Sequence, residues 1–134
     1  MSIYSEFRHK DSLKTERFAR IIDSLGYVPG ERITGGLLGV GTIIVHSSKY
    51  ERLSIDIDSI YLYSLALGTL VPDTYGWYKG YYDERHFKQH TFYYTVARET
   101  IEALSEAEKS AINERRRKVG LRPCPATVWE YDIY

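Results

Sequence analysis

Apolar residues recur with a helical period near the start of the chain. From Asp11 to Leu25 the apolar side chains share one side of a helix, and charged side chains occupy most of the other side. Asp11 or Ser12 can cap such a helix, and Gly26 can end it. The pattern predicts an amphipathic helix over residues 11–25.

A second helical pattern runs from Ala97 to Val119 and divides into two pieces that meet at Ser105. Ser105 and Glu108 have the spacing of a capping box, in which each side chain accepts a hydrogen bond from the other residue's backbone. A run of basic residues then fills the last turn before Gly120, where positive charge is favourable to the helix dipole. The pattern therefore predicts a helix over 97–119.

Other stretches have patterns typical of strands, namely a β-branched run, alternating runs and aromatic runs. They are Thr42–His46, Glu51–Asp58, Tyr75–Tyr82, Thr91–Val96 and Thr127–Tyr134. For Ser59–Val71, which is almost wholly apolar, a short helix ended by Gly68 and a continued strand are both open. Together these patterns predict an α+β fold, with a mainly antiparallel sheet of five to six strands and both helices on one face.

Length and charge limit the class of protein. A chain of 134 residues predicts a single globular domain over 1–134, and 18 basic against 18 acidic residues leave no net field for a polyanion. Cys124 is the single cysteine, so no intrachain disulfide can form, which fits a reducing compartment. The N-terminal residues do not resemble a signal peptide, and no run reaches the roughly 18 apolar residues of a membrane span. We expect a cytoplasmic protein that does not enter a membrane.

Aromatic residues are concentrated between Tyr75 and Tyr94, and the chain has 13 tyrosines. The predicted strands carry rings on both faces, with Tyr78, Tyr82, Phe92 and Tyr94 as the inward set. Aromatic residues and arginine are enriched at the centres of protein interfaces. The residues that we predict to contact a partner are Tyr75, Trp77, Tyr81, Arg85, Tyr93, Arg115 and Arg116.

Two alternatives involve other ligands. The segment Gly26–Gly41 is rich in glycine but matches neither a dinucleotide-binding nor a phosphate-loop motif. Gly36, Gly39 and Gly41 could still line a pocket for a small, nucleotide-like ligand, together with Trp77 and Tyr81. The protein would then be a sequestering protein or a small enzyme. The basic run at Arg115 could instead contact nucleic acid, which is the less favoured interpretation because acidic residues share that helix.

Metal and cofactor chemistry have weaker support. His86 and His90 are four residues apart, yet Phe, Lys and Gln separate them, so the pattern favours a solvated loop over a metal site. No stretch carries a catalytic signature, and no cofactor is expected. The sequence therefore favours a small non-catalytic module that binds another protein as an inhibitor or adaptor. The inhibitors that viruses use against host defences are one class that fits this size and composition. A homo-oligomer is the other use for the surplus rings.

Overall fold

The computed structural model describes residues 2–30, 40–50, 56–93, 96 and 98–124, and these ranges contain six helices and no strand. The helices are α1 (Ile3–Leu25), α2 (Val40–Ser47), α3 (Ile57–Leu67), α4 (Pro72–Phe87), α5 (Arg98–Glu102) and α6 (Glu106–Lys118). The predicted α+β fold with a five- to six-stranded sheet is therefore wrong, and no sheet is present for the helices to cover in these ranges.

Contacts within the chain define two compact units, residues 1–71 and residues 72–134. Each unit is described by itself below. The single domain expected over 1–134 stays a prediction.

Helix α1 is the longest described helix of unit 1, and it contacts both of the others. Ser2 caps it by accepting a hydrogen bond from the Ser5 amide, and Gly26 ends it with φ of 79°. The predicted end at Gly26 is confirmed, whereas the helix begins at Ile3 rather than at Asp11. Thr15, Phe18, Ala19 and Ile22 are buried and lie at helical spacing, so they form one buried face of α1. Helix α1 contacts both α2 and α3.

Helix α2 occupies the segment that was predicted as the strand Thr42–His46. Ile44 and Ser47 are buried three residues apart, as one face of a helix requires. Ser47 Oγ donates to the Ile44 carbonyl oxygen and lies 3.0 Å from the Tyr61 hydroxyl. The weak strand preference of β-branched residues is therefore overridden by packing of this face.

Helix α3 settles the alternatives for residues 59–71 in favour of a helix. Asp56 caps it by accepting hydrogen bonds from the Ser59 amide and hydroxyl, and these bonds lower the pKa of the Asp56 carboxyl. Gly68 ends it with φ of 77°, as the helical alternative predicted. The predicted strand Glu51–Asp58 is contradicted at residues 57–58, which begin α3, and residues 51–55 lie outside the described ranges.

Helix α4 replaces the predicted strand Tyr75–Tyr82 in unit 2. Pro72 stands at its first position, where the missing N–H costs nothing. Residues 91–93 and 96 of the predicted strand Thr91–Val96 are irregular, and residues 94–95 lie outside the described ranges. The tail strand predicted for Thr127–Tyr134 also lies outside them.

Helices α5 and α6 confirm the predicted division of residues 97–119 into two pieces at Ser105. Both hydrogen bonds of the capping box are present, and Gly120 follows α6 with φ of 82°. A small core of Ile101, Ile112 and Cys124 lies in this unit, with Tyr93, Val96 and Leu104 packed against it.

Candidate functional site

The aromatic residues of α4 form two rows along the helix. Trp77 and Tyr81 stack with ring centroids 5.6 Å apart and an interplanar angle of 26°, while the Tyr78 and Tyr82 centroids are 5.9 Å apart. Residues four apart share a face on a helix. The predicted pairing of Trp77 with Tyr81 is therefore present, although the strand from which it was inferred is not.

The first row is accessible. Tyr81 is 39% exposed, Trp77 is half-buried, and Glu84 and Arg85 are exposed one turn further along. Trp77, Tyr81, Glu84 and Arg85 lie at positions i, i+4, i+7 and i+8, so they form one stripe about 12 Å long. We call these four residues the α4 stripe.

The second row is in the interior of unit 2. Tyr75 and Tyr78 are each 2% exposed, and the Tyr75 ring lies 5.9 Å from that of Tyr78 and 6.2 Å from that of Phe92. Tyr82 is half-buried, with the Lys79 Nζ atom 5.3 Å above its ring. Tyr75 was predicted to contact a partner, but it is buried against Tyr78 and Phe92 and does not lie at the surface.

The arginines predicted at the surface of α6 contact the chain itself. Arg116 is fully buried, and it donates from Nε to the Arg122 carbonyl oxygen and from Nη1 to the Phe92 carbonyl oxygen, both at 2.6 Å. Arg115 is exposed, yet its Nε donates to the Thr91 carbonyl oxygen at 3.0 Å. Two neighbouring arginines thus hold two neighbouring carbonyl groups after α4.

Asp83 joins α4 to the same segment, a role that was not predicted from the sequence, where Asp83 was only a weak metal-ligand candidate beside His86 and His90. Its carboxylate is 3.2 Å from Lys79 Nζ and accepts a hydrogen bond from the Thr91 hydroxyl, and the residue is only 5% exposed. Its carbonyl oxygen accepts from the Gln89 amide. The signal that could have identified it is the i, i+4 spacing from Lys79.

Tyr93 and the two histidines belong to ring contacts. Tyr93 is half-buried against the small core, its φ is 49°, and its ring lies 5.5 Å from that of His90. His86 lies 4.6 Å from the Tyr82 ring. No three His, Cys, Asp or Glu residues are grouped as metal ligands in the part of the chain that the structure describes.

The thiol of Cys124 and the glycines predicted to line a ligand pocket are the remaining candidate groups. Cys124 is buried, which raises the pKa of its thiol, and its amide donates to Asn113 Oδ1 at 2.7 Å. Gly41 is buried in the first turn of α2, in unit 1, whereas Trp77 and Tyr81 lie in unit 2. Gly36 and Gly39 lie outside the described residues.

None of the described helices combines the length and the apolar character that crossing a membrane requires. Comparison of the chain with protein-family models, with curated proteins and with solved structures finds no match.

Proposed function

We propose that this chain is a small non-catalytic protein-binding module, and that the α4 stripe is the surface that binds its partner. The observation that carries the proposal is the stack of the half-buried Trp77 with the exposed Tyr81, with Arg85 one turn beyond Tyr81. Trp, Tyr and Arg are the residue types that most often dominate binding energy at protein interfaces. The module acts as an inhibitor or adaptor by covering a surface of a larger protein.

Contacts within unit 2 restrict the rings of the stripe before binding. Trp77 and Tyr81 restrict each other by stacking, and Asp83 fixes the end of α4 through Lys79 and Thr91. Rings ordered in advance lose less conformational entropy when a partner binds. A short rigid stripe is therefore suited to high affinity over a small area.

The shape and charge of the stripe define the partner's site. An α-helical stripe with aromatic residues at i and i+4 fits an apolar groove, as in helix-in-groove recognition. Glu84 and Arg85 place one charge of each sign at the end of the stripe, so the groove needs a basic group and an acidic group at its rim. A cytoplasmic location, and a role against a host defence protein, are parts of this proposal that rest on composition alone.

Alanine substitution tests the proposal. The tagged chain is used to capture proteins from the cells in which it naturally acts, and Trp77→Ala and Tyr81→Ala are compared with Tyr27→Ala. Tyr27 is the matched control, because it is 37% exposed against 39% for Tyr81 and lies in unit 1. We expect a protein that the wild type and Tyr27→Ala capture equally, and that both α4 variants lose.

The helix content of each variant, measured by circular dichroism, must match that of the wild type. If the folded α4 variants capture the same proteins as the wild type, the stripe is not the binding surface. If Tyr27→Ala loses the same protein, the binding surface lies in unit 1.

A further inference from the structure

Helix α1 has an outer face on which apolar and basic residues are mixed. Leu13, Ile21 and Leu25 are each about half exposed, and Arg17 and Arg20 are exposed between them. These five residues, with others of α1, line an open groove of about 560 Å³. They lie on the side of the helix away from its buried face. We call these five residues the α1 face.

The α1 face carries an unbalanced positive charge. No salt bridge among the described residues involves Arg17 or Arg20. Lys14 adds an exposed cation at one edge of the face. The acidic residues of this stretch, Glu16 and Asp23, lie at the other edge, beyond Arg20, as the helical period requires. The middle of the face is therefore both apolar and cationic.

We propose that the α1 face binds an amphipathic helix of another protein, one that carries carboxylates among its apolar residues. A guanidinium that a partner covers has to regain hydrogen bonds, since an unpaired buried charge is costly. Carboxylates meet this need best, because they accept two parallel hydrogen bonds from a guanidinium. Apolar side chains between the carboxylates would cover Leu13, Ile21 and Leu25. Each property of the face thus specifies one property of the partner.

The spacing of the face identifies the partner's element as a helix. The residues Leu13, Arg17, Ile21 and Leu25 are each four positions apart, so their side chains form one ridge about 18 Å long. Ridges of residues four apart on one helix fit into the grooves between such ridges on a second helix. A partner helix of about three to four turns is long enough to cover the ridge.

Other occupants match the face less well. A helix that lies on a membrane keeps its basic residues on a separate side from its apolar ones, whereas Arg17 lies in the middle of the apolar ridge. Nucleic acid offers phosphates to the arginines but no apolar group to Ile21 and the leucines. A second copy of the face would bring the same positive charge, which is unfavourable. An acidic amphipathic helix satisfies both parts of the face.

The α1 face lies in unit 1 and the α4 stripe in unit 2, so the two proposals are separate. If both surfaces bind, the chain joins two proteins, which favours the adaptor over the inhibitor among the roles proposed above. That consequence rests on the proposed function. The α1 face itself does not, and it is tested with a ligand of its own.

A synthetic peptide tests the proposal on the full chain. The peptide has about 20 residues, with leucine and glutamate mixed along one side and alanine and glutamine on the other, so that it forms a helix long enough to cover the face. Fluorescence anisotropy measures its dissociation constant. We expect saturable binding that weakens as salt is added, because salt screens the contacts between glutamate and arginine.

Four comparison ligands test the partner's chemistry. They are the same peptide with lysine in place of glutamate, the same peptide with serine in place of leucine, vesicles that contain phosphatidylserine, and a DNA duplex. Each should bind at least tenfold more weakly than the first peptide. Tighter binding of the vesicles or of the duplex would show that a membrane surface or a nucleic acid is the occupant.

A charge exchange tests the arginines. The double variant Arg17→Glu and Arg20→Glu should bind the glutamate peptide at least tenfold more weakly and should now bind the lysine peptide. The control is Arg117→Glu with Lys118→Glu, which makes the same change in net charge at exposed positions of α6 in unit 2. We expect this control to bind the glutamate peptide within about twofold of the wild type.

A polar substitution tests the apolar part of the face. Ile21→Gln should weaken binding at least fivefold, whereas Leu67→Gln on α3 should not, although Ile21 is 51% exposed and Leu67 49%. Circular dichroism checks that each variant keeps the helix content of the wild type. The proposal is overturned if the glutamate peptide does not bind at low salt, if the serine peptide, the vesicles or the duplex bind equally well or better, or if the controls weaken binding as much as the α1 variants do.

Discussion

The Arg116 side chain donates a 2.6 Å hydrogen bond to the Phe92 carbonyl oxygen, and this cation is fully buried in unit 2. A second bond runs from Arg116 Nε to the Arg122 carbonyl oxygen. A buried guanidinium is stable only when such acceptors surround it. Arg116 therefore links α6 to the segments before and after it.

Replacing Arg116 with methionine should destabilise unit 2 strongly. The change keeps much of the side-chain volume but leaves the Phe92 and Arg122 carbonyl groups without these donors, which costs about 1–3 kcal/mol for each carbonyl group that stays out of water. Urea unfolding monitored by circular dichroism measures the loss. Arg117→Met is the matched control, since Arg117 is exposed and pairs with Glu114 on the same helix at 2.8 Å. Equal unfolding midpoints for the two variants would show that the Arg116 bonds do not stabilise the fold.

The capping box of α6 should make stability depend on pH. The Ser105 amide donates to the Glu108 carboxylate at 2.7 Å, and this bond lowers the pKa of Glu108 below its ordinary value. A group with a lowered pKa in the folded state stabilises the fold above the ordinary glutamate pKa, and the contribution is lost as the pH falls through the lowered pKa. Stability should therefore decrease in acid.

Glu108→Gln isolates this contribution, because the amide keeps an acceptor oxygen and does not titrate. The free energy of unfolding, measured from neutral pH to below the ordinary glutamate pKa, should fall more steeply for the wild type than for Glu108→Gln. Parallel curves would mean that the carboxylate of Glu108 adds nothing to the cap.

Lys88 follows α4 with φ of 54°, in the left-handed region that favours glycine. Lys88→Gly should therefore stabilise the chain by about 0.5–1 kcal/mol, because it removes steric strain. Lys109→Gly, at the fourth residue of α6, is the opposite control and should destabilise by about 1 kcal/mol. Chemical unfolding compares the two, and a loss of stability in Lys88→Gly would show that the lysine conformation is not strained.

Local signals predicted the parts of the fold that depend on few residues. Gly26, Gly68 and the Ser105–Glu108 capping box all mark helix boundaries in the structure. Each signal depends on the backbone geometry of one turn, so a short stretch of sequence is enough to predict it. These boundaries were available from sequence for that reason.

The strand predictions for Thr42–His46 and Tyr75–Tyr82 failed because short runs do not distinguish the two periods. Thr42–His46 is only five residues long, and its β-branched residues have only a weak preference for strands. Burial of Ile44 in the packed face of α2 overrides that preference. In α4, a spacing of four suits a strand face as well as a helix face. Trp77 and Tyr81 were therefore paired correctly on an element of the wrong type.

The interior role of Arg116 could have been inferred in part. Ile112 and Arg116 are four residues apart and both buried, so Arg116 continues the apolar stripe of α6. The sequence shows four consecutive cations and identifies which one shares the side of Ile112. It does not show the carbonyl groups that accept its hydrogen bonds, because these depend on how the segments around Phe92 and Arg122 fold.

The most direct test of the central claim is hydrogen exchange on the wild-type chain, with and without the purified protein that the capture experiment identifies. Amides over residues 77–87 of α4 should exchange more slowly in the complex, and the Tyr81→Ala variant should not show this protection at the same concentration. Protection confined to residues 2–30 and 40–50, with exchange in α4 unchanged, would contradict the assignment of the α4 stripe as the binding surface.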